Sequence, residues 1–177
     1  LALVESFGVE ESINKLEGMF SICLLDKNQN KLYLIRDIAG EKPLYISTAK
    51  DNFGFSSDLS ALKLFPGFCN AVNSRSLQKY LQLNYVPSPE SIYKYSYKIP
   101  PASIVTIDLN RFKLRPYETF EEFKFSEGVE FDKWWTIEDS IESDTKKNTE
   151  EDSLEELETL LENSIKSQLI SDVPLGA

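Results

Sequence analysis

The chain has 177 residues, a formal net charge of −10, no histidine and two cysteines. The charge disfavours nucleic-acid phosphate as a partner, and the missing histidine removes the commonest general base, the commonest metal ligand and every histidine-dependent triad. Two cysteines are too few for a disulfide framework or a zinc cluster, and no apolar run approaches the roughly 18 residues of a membrane span.

The opening "LALVESFGVEESINKL" reads as two helical pieces around Gly8, with Val9, Ile13 and Leu16 on one face. Leu1 is not a methionine and the first residues already read as helix interior, so the sequence is expected to be an internal fragment. Gly18 is expected to end the helix. "MFSICLLD" and "KLYLIRD" flank the polar "KNQN", the pattern of a hairpin. Both runs are apolar at nearly every position, which predicts strands covered on both faces and a sheet between two other layers. Cys23 reads as a small core residue, and free thiols suit a reducing compartment.

"RDIAGEKPLYIS" predicts a sharp turn and a strand restarting at Pro43, with Gly40 supplying a positive φ and Asp37 bonding to nearby amides. "NFGFSSDLSALKLF" reads as a short strand and a helix capped by Ser57 or Asp58, with Leu59 and Leu62 inward. "NSRSLQKYLQLNYV" reads as a second helix with Leu77, Tyr80 and Leu81 as its apolar face, and "VPSPES" as loop. "SIVTIDLNRFKLR" alternates around Asn110-Arg111, which predicts a half-solvated hairpin near an edge.

The character changes near Arg115, where a domain boundary is expected. Residues 138–162 hold eleven acids against two lysines, the pattern of a solvated linker and helix face, and residues 138–152 are expected to be mobile. In "DSLEELETLLENSIKSQLIS", Ser153 and Glu156 form a capping-box pattern and Leu154, Leu157, Leu161 and Ile165 an apolar stripe. The chain closes on "SDVPLGA", where a proline redirects the backbone.

Three groupings invite a catalytic or binding reading. Arg36-Asp37 fits a catalytic pair, but at a strand end the pair is better read as a turn brace. Tyr93, Tyr95 and Tyr97 would share one strand face and could stack a ligand; a packed aromatic strip is the simpler reading. Trp134-Trp135 could anchor a partner or the linker, and the linker is the preferred reading. The sequence lacks a glycine-rich phosphate loop, metal-ligand spacing and a nucleophile elbow.

The blocks "LEGMFSICLLD", "LYLIRDIAGEKPLYIS", "FGFSSDLSALK", "LQKYLQLNYVPSPESIY", "KIPPASIVTID" and "QLISDVPLGA", in that order, resemble the glutamine-hydrolysing asparagine synthetases. The resemblance covers nearly the whole chain and thins between Phe120 and Ser153. It implies an α+β fold: a partial four-layer αββα N-terminal-nucleophile amidohydrolase domain, then the first helix of an α/β ATP-pyrophosphatase-like synthetase domain. Residues 1–118 would be the second half of the glutaminase domain, 119–152 an acidic linker, and 153–177 the start of the synthetase domain.

The resemblance also implies a parent enzyme that forms asparagine and glutamate from aspartate, glutamine and ATP, releasing AMP and pyrophosphate. ATP and Mg would serve the parent and neither would bind this fragment. The partners implied are those small molecules and a second copy as a homodimer, with no nucleic acid and no membrane, in the cytoplasm. The family's nucleophile, an N-terminal cysteine, has no match in Cys23 or Cys69, and its pyrophosphate loop would follow "SDVPLGA". No catalytic, cofactor-binding or metal-binding residue is therefore carried onto this sequence. Two departures stand out: Ser57-Asp58 where the family often has Ser-Glu, and Ala102 where it often has glycine, a position expected not to need a positive φ. Other amidotransferases with a different acceptor, and a non-catalytic truncated module, are the alternatives.

Overall fold

In the computed structural model, which describes residues 1–49, 52–143, 149–169 and 172–173, the chain forms two units, Leu1–Thr136 and Ile137–Ala177. In chain order the first contains α1 (Ala2–Ile13), β1 (Ser21–Asp26), β2 (Lys31–Arg36), β3 (Tyr45–Ser47), β4 (Gly54–Ser56), α2 (Leu59–Leu62), α3 (Ser74–Leu83), β5 (Ser96–Lys98), β6 (Ser103–Asp108), α4 (Phe120–Lys124) and β7 (Val129–Lys133). These strands make a four-stranded sheet, β1-β2-β6-β7, and a three-stranded sheet, β4-β3-β5, both antiparallel.

The register explains how the layers meet. Leu32 pairs with Ile107 and Leu34 with Val105, and these four side chains join Leu44, Ile46, Tyr97 and Ile99 of the smaller sheet and its flanks in one core. The alternate residues, Ile35 and its partner Ile104, pack on the other side against Ile13, with Val9 of α1 and Trp134 beside them. The central strands β2 and β6 are thus covered on both faces, as continuous apolar runs demand. Helix α1 breaks at Gly8 (φ 78°, ψ 175°), as expected. It ends at Ile13 with Asn14 as C-cap, so Gly18, with φ of 100°, lies in the loop beyond and does not end the helix.

Several expectations are corrected. Strand β1 is an edge strand, so one side of it stays open: Leu25 is exposed, and Cys23 is exposed rather than in the core. Residues 103–108 form a buried central strand, not half of a solvated hairpin; its pairing partners are β2 on one side and β7 on the other, both far along the chain. The alternation misled because Ser103 and Thr106 are hydroxyl residues that tolerate burial; Ser103 Oγ, for example, donates to the Pro101 carbonyl at 3.1 Å. The apolar face of α3 is also present but open, with Leu77, Tyr80 and Leu81 exposed.

The expected linker does not begin at residue 119. Tyr117, Phe120, Phe123 and Val129 complete the core between the sheets, with the Tyr117 and Phe123 rings edge to face at 5.7 Å. The segment shows no helical period because α4 is only five residues long, started by Thr119, whose hydroxyl accepts the Glu122 amide at 3.1 Å. Strand β7 then pairs with β6, and Trp134 closes the α1 side.

The second unit contains α5 (Ile137–Ser143) and α6 (Glu150–Gln168). The capping box of α6 is Thr149 and Asp152, four residues before the expected one: Thr149 Oγ1 accepts the Asp152 amide at 3.2 Å and Asp152 Oδ2 accepts the Thr149 amide at 3.3 Å. Ser153 lies inside the helix and donates its hydroxyl to the Thr149 carbonyl. The stripe of Leu154, Leu157, Leu161 and Ile165 runs along one side of α6 and is exposed. The mobility expected within 138–152 falls partly, and the turn at "SDVPLGA" largely, outside the described residues.

Ala102 adopts φ of 52°, against the expectation that this position needs no positive φ. The left-handed conformation costs about 1–2 kcal/mol for a residue with Cβ, while the buried methyl group returns roughly 0.8 kcal/mol. Because glycine also frees the unfolded chain by roughly 0.4–1 kcal/mol, Ala102→Gly is expected to change stability by less than about 1 kcal/mol in urea unfolding; a loss well beyond about 1 kcal/mol would contradict the strain. Phe123→Ala should cost about 3–5 kcal/mol, because the ring is fully buried. A linker residue there would change stability by no more than about 0.5 kcal/mol.

Candidate functional site

The densest convergence of polar groups is at the end of β2. Arg36 is mostly buried, and its guanidinium makes three hydrogen bonds to carbonyls: Nε to Lys42 at 2.9 Å, one terminal nitrogen to Ile99 at 2.5 Å, and the other to Gly40. Asp37 is 1% exposed. Its Oδ1 accepts the Glu41 amide at 2.8 Å, and its Oδ2 accepts the amides of Lys42 at 3.0 Å and Phe20 at 3.3 Å. Burial pushes the Asp37 carboxyl upward, but the amides of Lys42, Glu41, Phe20 and Gly40 outweigh it and hold the group below its ordinary value. Burial lowers the Arg36 guanidinium from its ordinary value, with Asp37 opposing.

The local sequence explains the turn. Gly40 has φ of 67°, and a Cβ there would lie 2.8 Å from Pro101 Cγ and 3.1 Å from Arg36 Cζ, so only glycine lets the chain pass this close to the guanidinium. Three of the five guanidinium N–H donors and both oxygens of the Asp37 carboxylate are engaged by backbone, at the turn itself. Arg36-Asp37 is a brace, as the strand-end reading held.

The three tyrosines do not share a face. Tyr95 has φ of 59°, which breaks the alternation, and only Tyr97 lies in β5. Tyr93 packs edge to face on Phe68 at 5.3 Å, Tyr95 donates its hydroxyl to Glu118 at 3.1 Å, and buried Tyr97 donates to the Tyr117 carbonyl at 2.5 Å. Trp134 anchors the sheet rather than a linker: its indole N–H donates to the Arg36 carbonyl at 3.1 Å and its ring stacks on Phe20 at 6.1 Å. Cys23 and half-buried Cys69 are both free thiols. Among the described residues no three His, Cys, Asp or Glu side chains converge as a metal-binding group.

Lys98 has no signal in the sequence, since one lysine ahead of "IPP" carries no period or motif. Its ammonium, half-buried on β5, donates to the Val86 carbonyl, and its amide donates to the Pro89 carbonyl at 2.7 Å. It fixes both ends of the proline loop at the mouth of a hollow beside α3.

Because the Asp37 carboxyl binds its proton less readily folded than unfolded, the unfolded chain takes up protons first as the pH falls. The stabilisation is complete above the unfolded value of about 4 and disappears as the pH drops through the lower folded value. Asp37→Asn should cost about 1–3 kcal/mol at pH 7 and flatten the fall in urea-unfolding stability below about pH 4. An unchanged acid limb would contradict the brace.

A family model described as a glutamine amidotransferase domain matches residues 1–118. The chain is 29% identical over 174 residues to glutamine-hydrolysing asparagine synthetase 1 of Bacillus subtilis, covering 95% of this chain and 23% of the relative. It is 27% identical over 169 residues to a provisionally named glutamine-hydrolysing asparagine synthetase 2 of Methanocaldococcus jannaschii, covering 94% and 29%. Asparagine synthetase 3 of B. subtilis, also glutamine-hydrolysing, is 23% identical over 167 residues, covering 94% and 24%. The chain thus spans about a quarter of the length of these relatives. With two thirds of its residues inside the matched region, the chain belongs to the glutamine amidotransferase domain family.

Proposed function

We propose that this chain is scaffold within a longer ATP-dependent ligase, which hydrolyses glutamine and transfers the ammonia to aspartate, giving asparagine, glutamate, AMP and pyrophosphate. The observation that carries the reading is the amidotransferase match over residues 1–118, together with similarity to asparagine synthetases that continues over nearly all of the chain. The packing supports it: α1 lies on one sheet, that sheet shares a core with the second, and α2 places Leu62 against Gly54 on the second sheet's outer side. That sequence of contacts is what part of an αββα N-terminal-nucleophile amidohydrolase domain would give, and it supports the reading. The helix α6 would open the synthetase domain.

In this reading the described residues brace a glutaminase and carry out no chemical step. The brace at Arg36-Asp37 uses its charges on backbone, and among the described residues no three His, Cys, Asp or Glu side chains converge as a group that could hold a metal ion. ATP and Mg would be held by other parts of the protein. A cytoplasmic location and a homodimer belong to the same proposal; among the described residues no helix is long and apolar enough to cross a membrane.

The test is an assay of the full-length protein with glutamine, aspartate, ATP and Mg. Asparagine formed in step with AMP and glutamate is the expected result. Glutamate and AMP without asparagine would move the acceptor to another substrate, and no glutamate at all would overturn the amidotransferase reading. The 177-residue chain alone is expected to release no glutamate from glutamine; measurable release would place a nucleophile within it.

A further inference from the structure

The outer side of the three-stranded sheet carries a hollow of about 450 Å³ that the brace leaves unused. Tyr45 and Lys98, register partners on β3 and β5, form its floor, and Leu77, Tyr80, Tyr85 and Ile92 line its walls. Its volume falls within the roughly 300–1,000 Å³ of small-molecule pockets.

Among the residues that line this hollow, Lys98 alone is charged, and its charge is opposite to the chain's net charge. The whole chain has a net charge of −10, yet between Leu59 and Lys98 there are five cations and one acid. That acid, Glu90, is held by Lys79 at 2.7 Å and by the Ser76 hydroxyl at 3.2 Å. Among the described residues Lys98 has no carboxylate partner; its Nζ bonds one carbonyl, that of Val86. Burial, and after it the Arg36 guanidinium, depress the Lys98 ammonium from its ordinary value, the mark of a cation without a counter-charge. An ammonium has three N–H donors, so two remain for a ligand.

The geometry points to a binding site for a small carboxylic acid with an aliphatic or aromatic body, its carboxylate on Lys98 Nζ and its body against Leu77, Tyr80 and Tyr85. A carboxylate supplies the missing counter-charge through a charge-assisted hydrogen bond, strengthened by the apolar walls. An inorganic anion would meet the charge and leave the walls wet. A neutral alcohol of the same body would fill the walls and leave the ammonium unpaired. The inference stands apart from the ligase reading, because it uses only this hollow.

The test is calorimetric titration of the full-length protein with 4-phenylbutyrate and with 4-phenyl-1-butanol. The acid is expected to bind about tenfold or more tightly than the alcohol, the difference one charged hydrogen bond makes. Lys98→Met, which keeps an apolar stem, should remove that preference and leave the alcohol's affinity unchanged. Should Lys98→Met unfold because the Val86 carbonyl loses its donor, Leu77→Asp serves instead: on the exposed face of α3 it should fold, and its carboxylate should weaken the acid more than the alcohol. Equal affinity for acid and alcohol, binding of neither because other parts of the protein cover the hollow, or a preference that survives the variant that folds would each overturn the proposal.

Discussion

Two adjacent residues, Arg36 and Asp37, hold together every point at which the first unit's chain passes between its sheets. Through Phe20 the pair reaches the entry to β1, and through Gly40 and Lys42 the turn that leads into β3. Through Ile99 it reaches the exit from β5, and the Asp37 carbonyl accepts the Ala102 amide at 2.9 Å where β6 begins. The Arg36 carbonyl accepts the indole of Trp134 just beyond β7. Burying two opposite charges is costly unless hydrogen bonds replace the lost water. Here nearly all of the replacement comes from backbone, so the cost is offset only if all these segments are in place together. The pair therefore makes the two sheets a single folding problem.

This arrangement suits a support better than a reaction centre. Catalytic groups need a free lone pair or proton at the reacting atom, whereas both Asp37 oxygens and three guanidinium N–H groups of Arg36 are held by main chain. A rigid junction between sheets is what a catalytic residue carried on the same layers would need in order to stay in place. The amidotransferase family match and the brace are consistent in that respect: the junction at Arg36-Asp37 contributes rigidity to both sheets.

What the sequence disclosed follows from how local each cause is. The brace was legible because Arg-Asp, a glycine three residues on and a proline after it act within a single turn. The β1–β2 hairpin was legible for the same reason, since "KNQN" and its flanking apolar runs are contiguous. The role of residues 117–134 was not legible. Tyr117, Phe120 and Phe123 are core because of rings that lie far away in sequence, such as Phe53, and five residues of α4 are too few to show a period. The same holds for β6, which is buried because β2 and β7 pair with its two edges and side chains distant in sequence, such as Ile13 and Ile46, cover its faces. At Ala102 the residue type itself pointed the wrong way, because tertiary hydrogen bonds to Asp37 and Trp134 impose a backbone conformation that alanine disfavours.

The most direct measurement is hydrogen–deuterium exchange on the Arg36→Lys variant, which keeps the charge but loses the planar fork that reaches three carbonyls at once. The account predicts that protection falls together in both sheets, in β2 and β6 of the larger and in β3 and β5 of the smaller. Loss of protection confined to residues 37–44, with both sheets as protected as before, would show that the pair secures a single turn and nothing more.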